Sequence, residues 1–163
     1  QQHASRWHGD GRRLVLMGHS SGAHIVSLLA SSPELVRQAG AAPWLGTVAL
    51  DSAALDVGRI MQGPHFMLYD QAFGRDRAYW SQVSPWARLD TRPAPMLLVC
   101  SSLRLESCPQ ARAFAAKAAS LGGAVRVQSE ALSHRDINAT LGKPGAYTSA
   151  VDDFLRSLDG AMP

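Results

Sequence analysis

The stretch LVLMGHSSGAH, Leu14 to His24, changes character twice within eleven residues. It opens on a short apolar run of the kind that fills a strand buried on both faces, which predicts a strand over Arg13 to Met17. Gly18-His19-Ser20-Ser21-Gly22 then supplies the small residues of a sharp turn. From Ala23 to Ser31 the positions Ile25, Leu28 and Leu29 recur at helical spacing, ending near Ser32-Pro33. Strand, tight turn and helix make the first half of a βα unit.

The same alternation continues along the chain. Thr47 to Leu50 reads as a second strand, set between Gly46 and Asp51-Ser52. Pro95 to Val99, within PAPMLLVC, reads as a third, and Ala124 to Gln128 alternates as a fourth. Gln110 to Leu121 is Ala-rich and helical, closed by Gly122-Gly123. From Tyr147, the residues Val151, Phe154, Leu155 and Leu158 fall at i, i+3, i+4 and i+7 of an amphipathic closing helix. Short apolar strands alternating with helices predict an α/β fold, a parallel sheet with flanking helices. Residues 58–92 lack a clean period and gather aromatic side chains among Gly and Pro. They read equally as a lid or pocket wall over a site and as an irregular excursion packed on the core. With no internal repeat and no linker-like composition, residues 1–163 are expected to form a single domain.

Hydrophobic content of 46% and charged content of 18% suit a folded globular chain. The net charge of +3 comes from scattered arginines, which argues against a nucleic-acid footprint. No apolar run reaches the length of a membrane span. The chain opens Gln1-Gln2-His3 without Met, so its natural start can lie upstream, and no signal-peptide pattern is visible. Cys100 and Cys108, eight apart in CSSLRLESC, fit neither a disulfide framework nor a zinc pattern. A local bridge is open to them if the loop folds back. Two reduced thiols in a cytoplasmic setting are the expectation.

Gly18 to Gly22 matches G-x-S-x-G, a pattern that composition alone produces in about one chain of this length in twenty. Its weight comes from lying between a strand and a helix. A tight turn there strains the nucleophile's backbone, and flanking glycines are expected to relieve clashes. Ser20 would be presented at the carboxyl edge of the sheet, with the helix N-terminus behind it favouring developing negative charge. The backbone N–H of Ser21 would be one oxyanion donor. The competing reading is a plain strand–turn–helix connection with small residues for close packing.

On VLMGHSSGAH, PAPMLLVCSS and SHRDIN, the sequence resembles the serine-hydrolase members of the α/β-hydrolase family. Within it, the resemblance is to the carboxylesterase and arylformamidase-like (kynurenine formamidase-like) group, and it spans Leu14 to roughly Leu158. It implies an α/β-hydrolase fold from the nucleophile strand onward and cleavage of an ester, amide or formamide through an acyl-enzyme. The expected chain order is serine, acid, histidine.

A serine hydroxyl needs a base, and six histidines are available. His3 and His8 lie in a polar leader, His19 and His24 belong to the turn and its helix, and nothing singles out His65. His134, in the loop from Ala131 to Arg135 after the last strand, fits the expected order. The resemblance places the acid in the loop after PAPMLLVC, where Glu106 of SSLRLES is the only carboxylate. Glu106 is therefore the expected acid, although Arg104 could hold it in a plain surface ion pair. Asp51, at the end of the second strand, is the alternative acid, and Asp136 is expected to fix its own loop or cap the next helix.

No metal or organic cofactor is implied, and the aromatic residues from Met61 to Trp86 suggest a small apolar or aromatic ester or amide substrate. The resemblance also implies several strands and a His-Gly-Gly oxyanion loop before the nucleophile strand. Only about a dozen residues precede Leu14, and Trp7-His8-Gly9-Asp10-Gly11 reads as a turn. The chain is thus expected to be the C-terminal part of a larger enzyme, its open sheet edge covered by a missing N-terminal segment or a second copy. Two functions follow from different classes: a serine hydrolase working through Ser20, His134 and Glu106, or a weak or inactive remnant serving as an interaction scaffold. Acyl transfer to an acceptor other than water would use the same residues.

Overall fold

The computed structural model describes residues 1–159. After a short 3-10 turn at Ala4–Trp7, the chain runs through β1 (Val15–His19), α1 (Ser21–Ala30), α2 (Pro33–Gln38) and β2 (Gly46–Leu50). Four short helices follow: α3 (Val57–Met61), α4 (Met67–Phe73), α5 (Arg77–Val83) and α6 (Pro85–Arg88). The chain continues with β3 (Met96–Ser101), α7 (Ser107–Ser120), β4 (Val125–Glu130), α8 (His134–Thr140) and α9 (Ala146–Asp159). The strands form one parallel sheet in the order β1-β2-β3-β4, with Leu50 beside His19 on one side and Val99 on the other. All four expected strands are present, shifted by up to two residues.

The central strands are apolar because both of their faces are covered. Ala49, Leu98 and Cys100 pack on one face with Ala23 of α1 and Ala111, Phe114 and Ala118 of α7. Val48, Leu50, Leu97 and Val99 pack on the other with Ile137 of α8 and Val151, Phe154 and Leu158 of α9. Each such Val, Leu or Phe contributes roughly 1.5–3 kcal/mol by leaving water. The closing helix thus buries the stripe its spacing predicts. Gly122 stops α7 with φ +76.

β1 departs from expectation. Only its burial differs: at the edge of the described sheet, where the open edge was expected, Met17 is exposed and the other four positions are half-buried. Helix α2 was also hidden in the sequence: Ser32-Pro33 begins a helix with Pro in its first turn rather than simply ending one. Residues 58–92 carry helices α3 to α6, held by a small core of Ala54, Val57, Ile60, Met61, Phe73 and Trp80. Asp56 and Asp76 cap two of these helices, accepting from the N–H groups of Arg59 and Ala78.

The expectation of two reduced thiols is corrected. Cys100, near the end of β3, is bonded to Cys108 in the first turn of α7, with their Cα atoms 5.1 Å apart. α7 starts at Ser107, earlier than the Ala-rich run suggests, and this early start folds the 101–107 loop back on itself. His134, placed in a loop by the sequence reading, is the first residue of α8.

Candidate active site

The turn after β1 is sharp and strained. Ser20 has φ 58 and ψ −117 between the last strand residue and the first turn of α1, and its N–H still bonds to the carbonyl of Leu50 at 3.0 Å. Such geometry costs a non-glycine residue about 1–3 kcal/mol. The two flanking glycines are not equivalent. A Cβ on Gly18 would lie 2.4 Å from the carbonyl of Gly22, whereas one on Gly22 would meet nothing within 4 Å. Gly18 must therefore be glycine, and the expectation that both glycines relieve a clash of their own holds only for it.

β2 ends in a similar way. Asp51 follows its last residue with φ 56, a left-handed conformation that aspartate tolerates better than most residues. The two adjacent strands therefore deliver Ser20 and Asp51 to the same carboxyl edge of the sheet. The third group comes from α8. Its N-cap Ser133 accepts from the N–H of Asp136 at 3.1 Å and donates to the Asp136 carboxylate at 2.6 Å. Asp136 thus fixes its own loop, as its spacing suggested, and His134 projects from the helix start.

The His134 imidazole bridges the two strand ends. Nε2 lies 3.0 Å from Ser20 Oγ, and Nδ1 lies 2.6 Å from Asp51 Oδ2. Arg104 Nη1, which can only donate, also lies 3.1 Å from Nδ1, but the carboxylate, which can only accept, is closer at 2.6 Å. Nδ1 therefore carries the proton and Nε2 is left free to take one from the hydroxyl. Asp51 is completely buried. Besides His134, its carboxylate accepts from the Ser101 N–H at 2.8 Å, from Arg104 Nη1 at 2.8 Å and from the Ser107 hydroxyl. Burial pushes this carboxyl up, but the bonds from Ser107, Ser101, His134 and Arg104 outweigh it and hold Asp51 below its ordinary value.

Glu106 is not part of this cluster. It is exposed at the N-cap of α7, without a side-chain bond to the helix, and among the described residues its carboxylate has no hydrogen bond or ion pair. The early start of α7 turns Ser107 inward and leaves Glu106 outside. Arg104 does not pair with it: Nη1 holds both the carboxylate and, at 3.1 Å, the backbone carbonyl of Asp51. The loop expected to carry the acid instead carries donors that hold Asp51. Ser21, first residue of α1, has an N–H without an intrahelical acceptor, beside Ser20.

The remaining histidines separate by environment. His24 is held by the carbonyl of Ala54 at 2.8 Å, and burial lowers its pKa. His65 faces two acceptors, the Gly63 carbonyl and the Asp70 carboxylate, which raise its pKa. His3 and His8 are exposed. His19 touches His134 directly, a contact to which no feature of the sequence pointed except its place beside Ser20.

A cavity of about 660 Å³ reaches this cluster through Arg104, which donates to Asp51, and is lined by none of Ser20, Asp51 and His134 themselves. Arg104 and Ala53 form the wall nearest Asp51, and Ile60, Phe66, Tyr69 and Leu105 supply apolar and aromatic surface. Part of the 58–92 segment is therefore a pocket wall and part is a small core of its own. No helix among the described residues is long and apolar enough to cross a membrane.

No family model matches this sequence, and no curated protein matches it. Solved structures do. An esterase from the planctomycete Thermogutta terrifontis superposes with a TM-score of 0.70 at 16% identity, over 96% of this chain and 59% of its own. Esterase B from Lactobacillus rhamnosis gives 0.68 at 16% identity, over 93% of this chain and 53% of its own. An α/β-hydrolase from Vibrio vulnificus gives 0.61 at 18% identity, over 93% and 52%. The chain has the α/β-hydrolase fold and spans just over half the length of these three proteins.

Proposed function

We propose that this chain carries the catalytic triad of a serine hydrolase acting on a carboxylic ester, amide or formamide, with Ser20 as nucleophile, His134 as base and Asp51 as acid. One observation carries the reading: a single imidazole bridges a hydroxyl in a strained strand–helix turn and a buried carboxylate on the neighbouring strand. His134 Nε2 removes the proton as Ser20 Oγ attacks the substrate carbonyl. Asp51 holds the Nδ1–H tautomer and stabilises the imidazolium. The Ser21 N–H donates to the oxyanion, helped by the positive end of α1. His134 then protonates the departing alcohol or amine, and water repeats the attack on the acyl-enzyme.

The esterases among the structural neighbours support a hydrolase at the level of the fold, and the sequence resemblance to the arylformamidase-like group supports formamides beside esters. The apolar and aromatic wall of the cavity suits a substrate of modest size with an apolar or aryl group.

Intact-mass spectrometry after treatment with a serine-directed fluorophosphonate tests the reading. One adduct is expected on the parent chain and none on Ser20→Ala. A folded parent that takes up no adduct would show that the turn is architecture alone, and the scaffold reading would replace this one.

A further inference from the structure

His19 is the last residue of β1 and the residue before Ser20. Its ring lies against that of His134, centroid to centroid at 4.4 Å with the planes tilted by 32°. Its Nε2 lies 2.8 Å from the backbone carbonyl of His134. A carbonyl only accepts, so this nitrogen carries a proton and donates it. From this geometry we infer that His19 is a positioning residue for the base, an inference that rests on the triad reading above.

The physical reason lies in how each triad member is held. Ser20 is anchored by the turn and by its N–H bond to Leu50, and Asp51 by donors from the 101–107 loop. His134 stands at the first position of a seven-residue helix reached through the 131–133 segment. Besides the contacts of the imidazole itself with Ser20, Asp51 and Arg104, two side-chain bonds from strand ends hold the backbone of this region. Ser101 Oγ donates to the carbonyl of Leu132 at 2.6 Å, and His19 Nε2 donates to the carbonyl of His134 itself. The second bond acts on the base residue and comes from the strand that carries the nucleophile. It therefore fixes the base relative to Ser20 Oγ, the distance on which proton transfer depends. The ring contact restricts how far the imidazole can swing. Among the described residues the His19 side chain makes no hydrogen bond to Ser20 Oγ or to Asp51, so its ring acts on the site through His134.

Two substitutions separate this role from ordinary packing. His19→Phe keeps an aromatic ring against His134 and removes the N–H donor. His19→Gln keeps an N–H at similar reach and removes the ring. Hydrolysis of p-nitrophenyl acetate by the full chain, with Ser20→Ala as the blank, reads kcat and KM separately. For His19→Phe, kcat is expected to fall about 10- to 100-fold with KM within about threefold, as a misplaced base predicts. Thermal unfolding is expected to move little, and His19→Gln should recover most of kcat.

A His19→Phe variant with parental kcat would overturn the inference. So would equal losses in both variants accompanied by falling Tm, since that pattern belongs to packing. Imidazole ¹H–¹⁵N spectra give a readout independent of turnover. His134 is expected to show one Nδ1–H tautomer in the parent and in His19→Gln, but broadened or doubled signals in His19→Phe. Identical spectra in all three would overturn the inference even if the chain has no esterase activity. Activity surviving in Ser20→Ala would instead remove the triad reading, and the spectra would still decide the role of His19.

Discussion

The carboxyl ends of β2 and β3 lie side by side, each followed by a carboxylate, and they differ in nearly every physical respect. β2 hands over to Asp51, which is fully buried, left-handed in its backbone and surrounded by four side-chain or backbone donors. The loop after β3 carries Glu106, exposed and without a partner among the described residues. The loop nevertheless matters to Asp51, since Ser101, Arg104 and Ser107 all come from it. In the proposed triad, the comparison teaches that the acid is chosen by its desolvation and its donors, not by which loop happens to contain a carboxylate. An exposed glutamate keeps its water and gains little by orienting a neighbour. A buried aspartate has to be paired, and here one of its partners is His134, the proposed base.

The largest expected effect tests this contrast directly. Asp51→Asn should lower kcat by about 10³- to 10⁴-fold, because an amide no longer selects the Nδ1–H tautomer or stabilises the imidazolium. Glu106→Gln should leave kcat within about twofold. Ester hydrolysis by the two variants, with Tm measured alongside, decides the matter. A larger loss from Glu106→Gln would reverse the comparison and return the acid to the β3 loop.

The contrast also explains what the sequence could and could not reveal. The four strands were legible because Leu14–Met17, Val48–Leu50 and Met96–Val99 are apolar without interruption, and Val125–Gln128 alternates. The meeting of Ser20 with His134 was legible because a G-x-S-x-G turn and a histidine after the last strand are local patterns. The choice between Asp51 and Glu106 was not, because Asp51 directly follows a strand and Glu106 stands before a helix, and burial, which separates them, is a property of the packed molecule. Asp51 follows a run buried at every position, and that run was the only available hint. Arg104 looked like a surface residue beside Glu106 because sequence proximity suggested the pair, whereas its real partner is 53 positions away. The disulfide escaped for a related reason: nothing in CSSLRLESC shows that α7 begins at Ser107.

Opening that disulfide sharpens the comparison at the next level of effect. The bond joins the two ends of the loop that supplies three of the contacts to Asp51. The double substitution Cys100→Ala, Cys108→Ala should cost about 2.5 kcal/mol of stability, a fall in Tm of roughly 5–10 °C for a chain of this size. It should also lower kcat about tenfold, with KM little changed, as the donors around Asp51 loosen. Differential scanning calorimetry and ester kinetics measure the two losses separately. A variant that loses stability but keeps its full kcat would show that the loop holds Asp51 without the bond.

The smallest effect concerns acid. Asp51 titrates below its ordinary value in the folded chain because its donors outweigh burial. A carboxyl depressed on folding contributes stability that is complete above its unfolded value, about 3.9. That contribution is lost as pH falls through the lower folded value. Unfolding in urea between about pH 6 and pH 3 should therefore show the parent losing stability on acidification more steeply than Asp51→Asn, with Glu106→Gln as the exposed control. A gap between the parent and Asp51→Asn that stays constant over this range would mean that Ser101, Arg104, Ser107 and His134 hold the side chain in place without favouring its ionised form. Asp51 would then be a fixed hydrogen-bond acceptor for His134, and stabilisation of the imidazolium by its charge would have to be dropped from the mechanism.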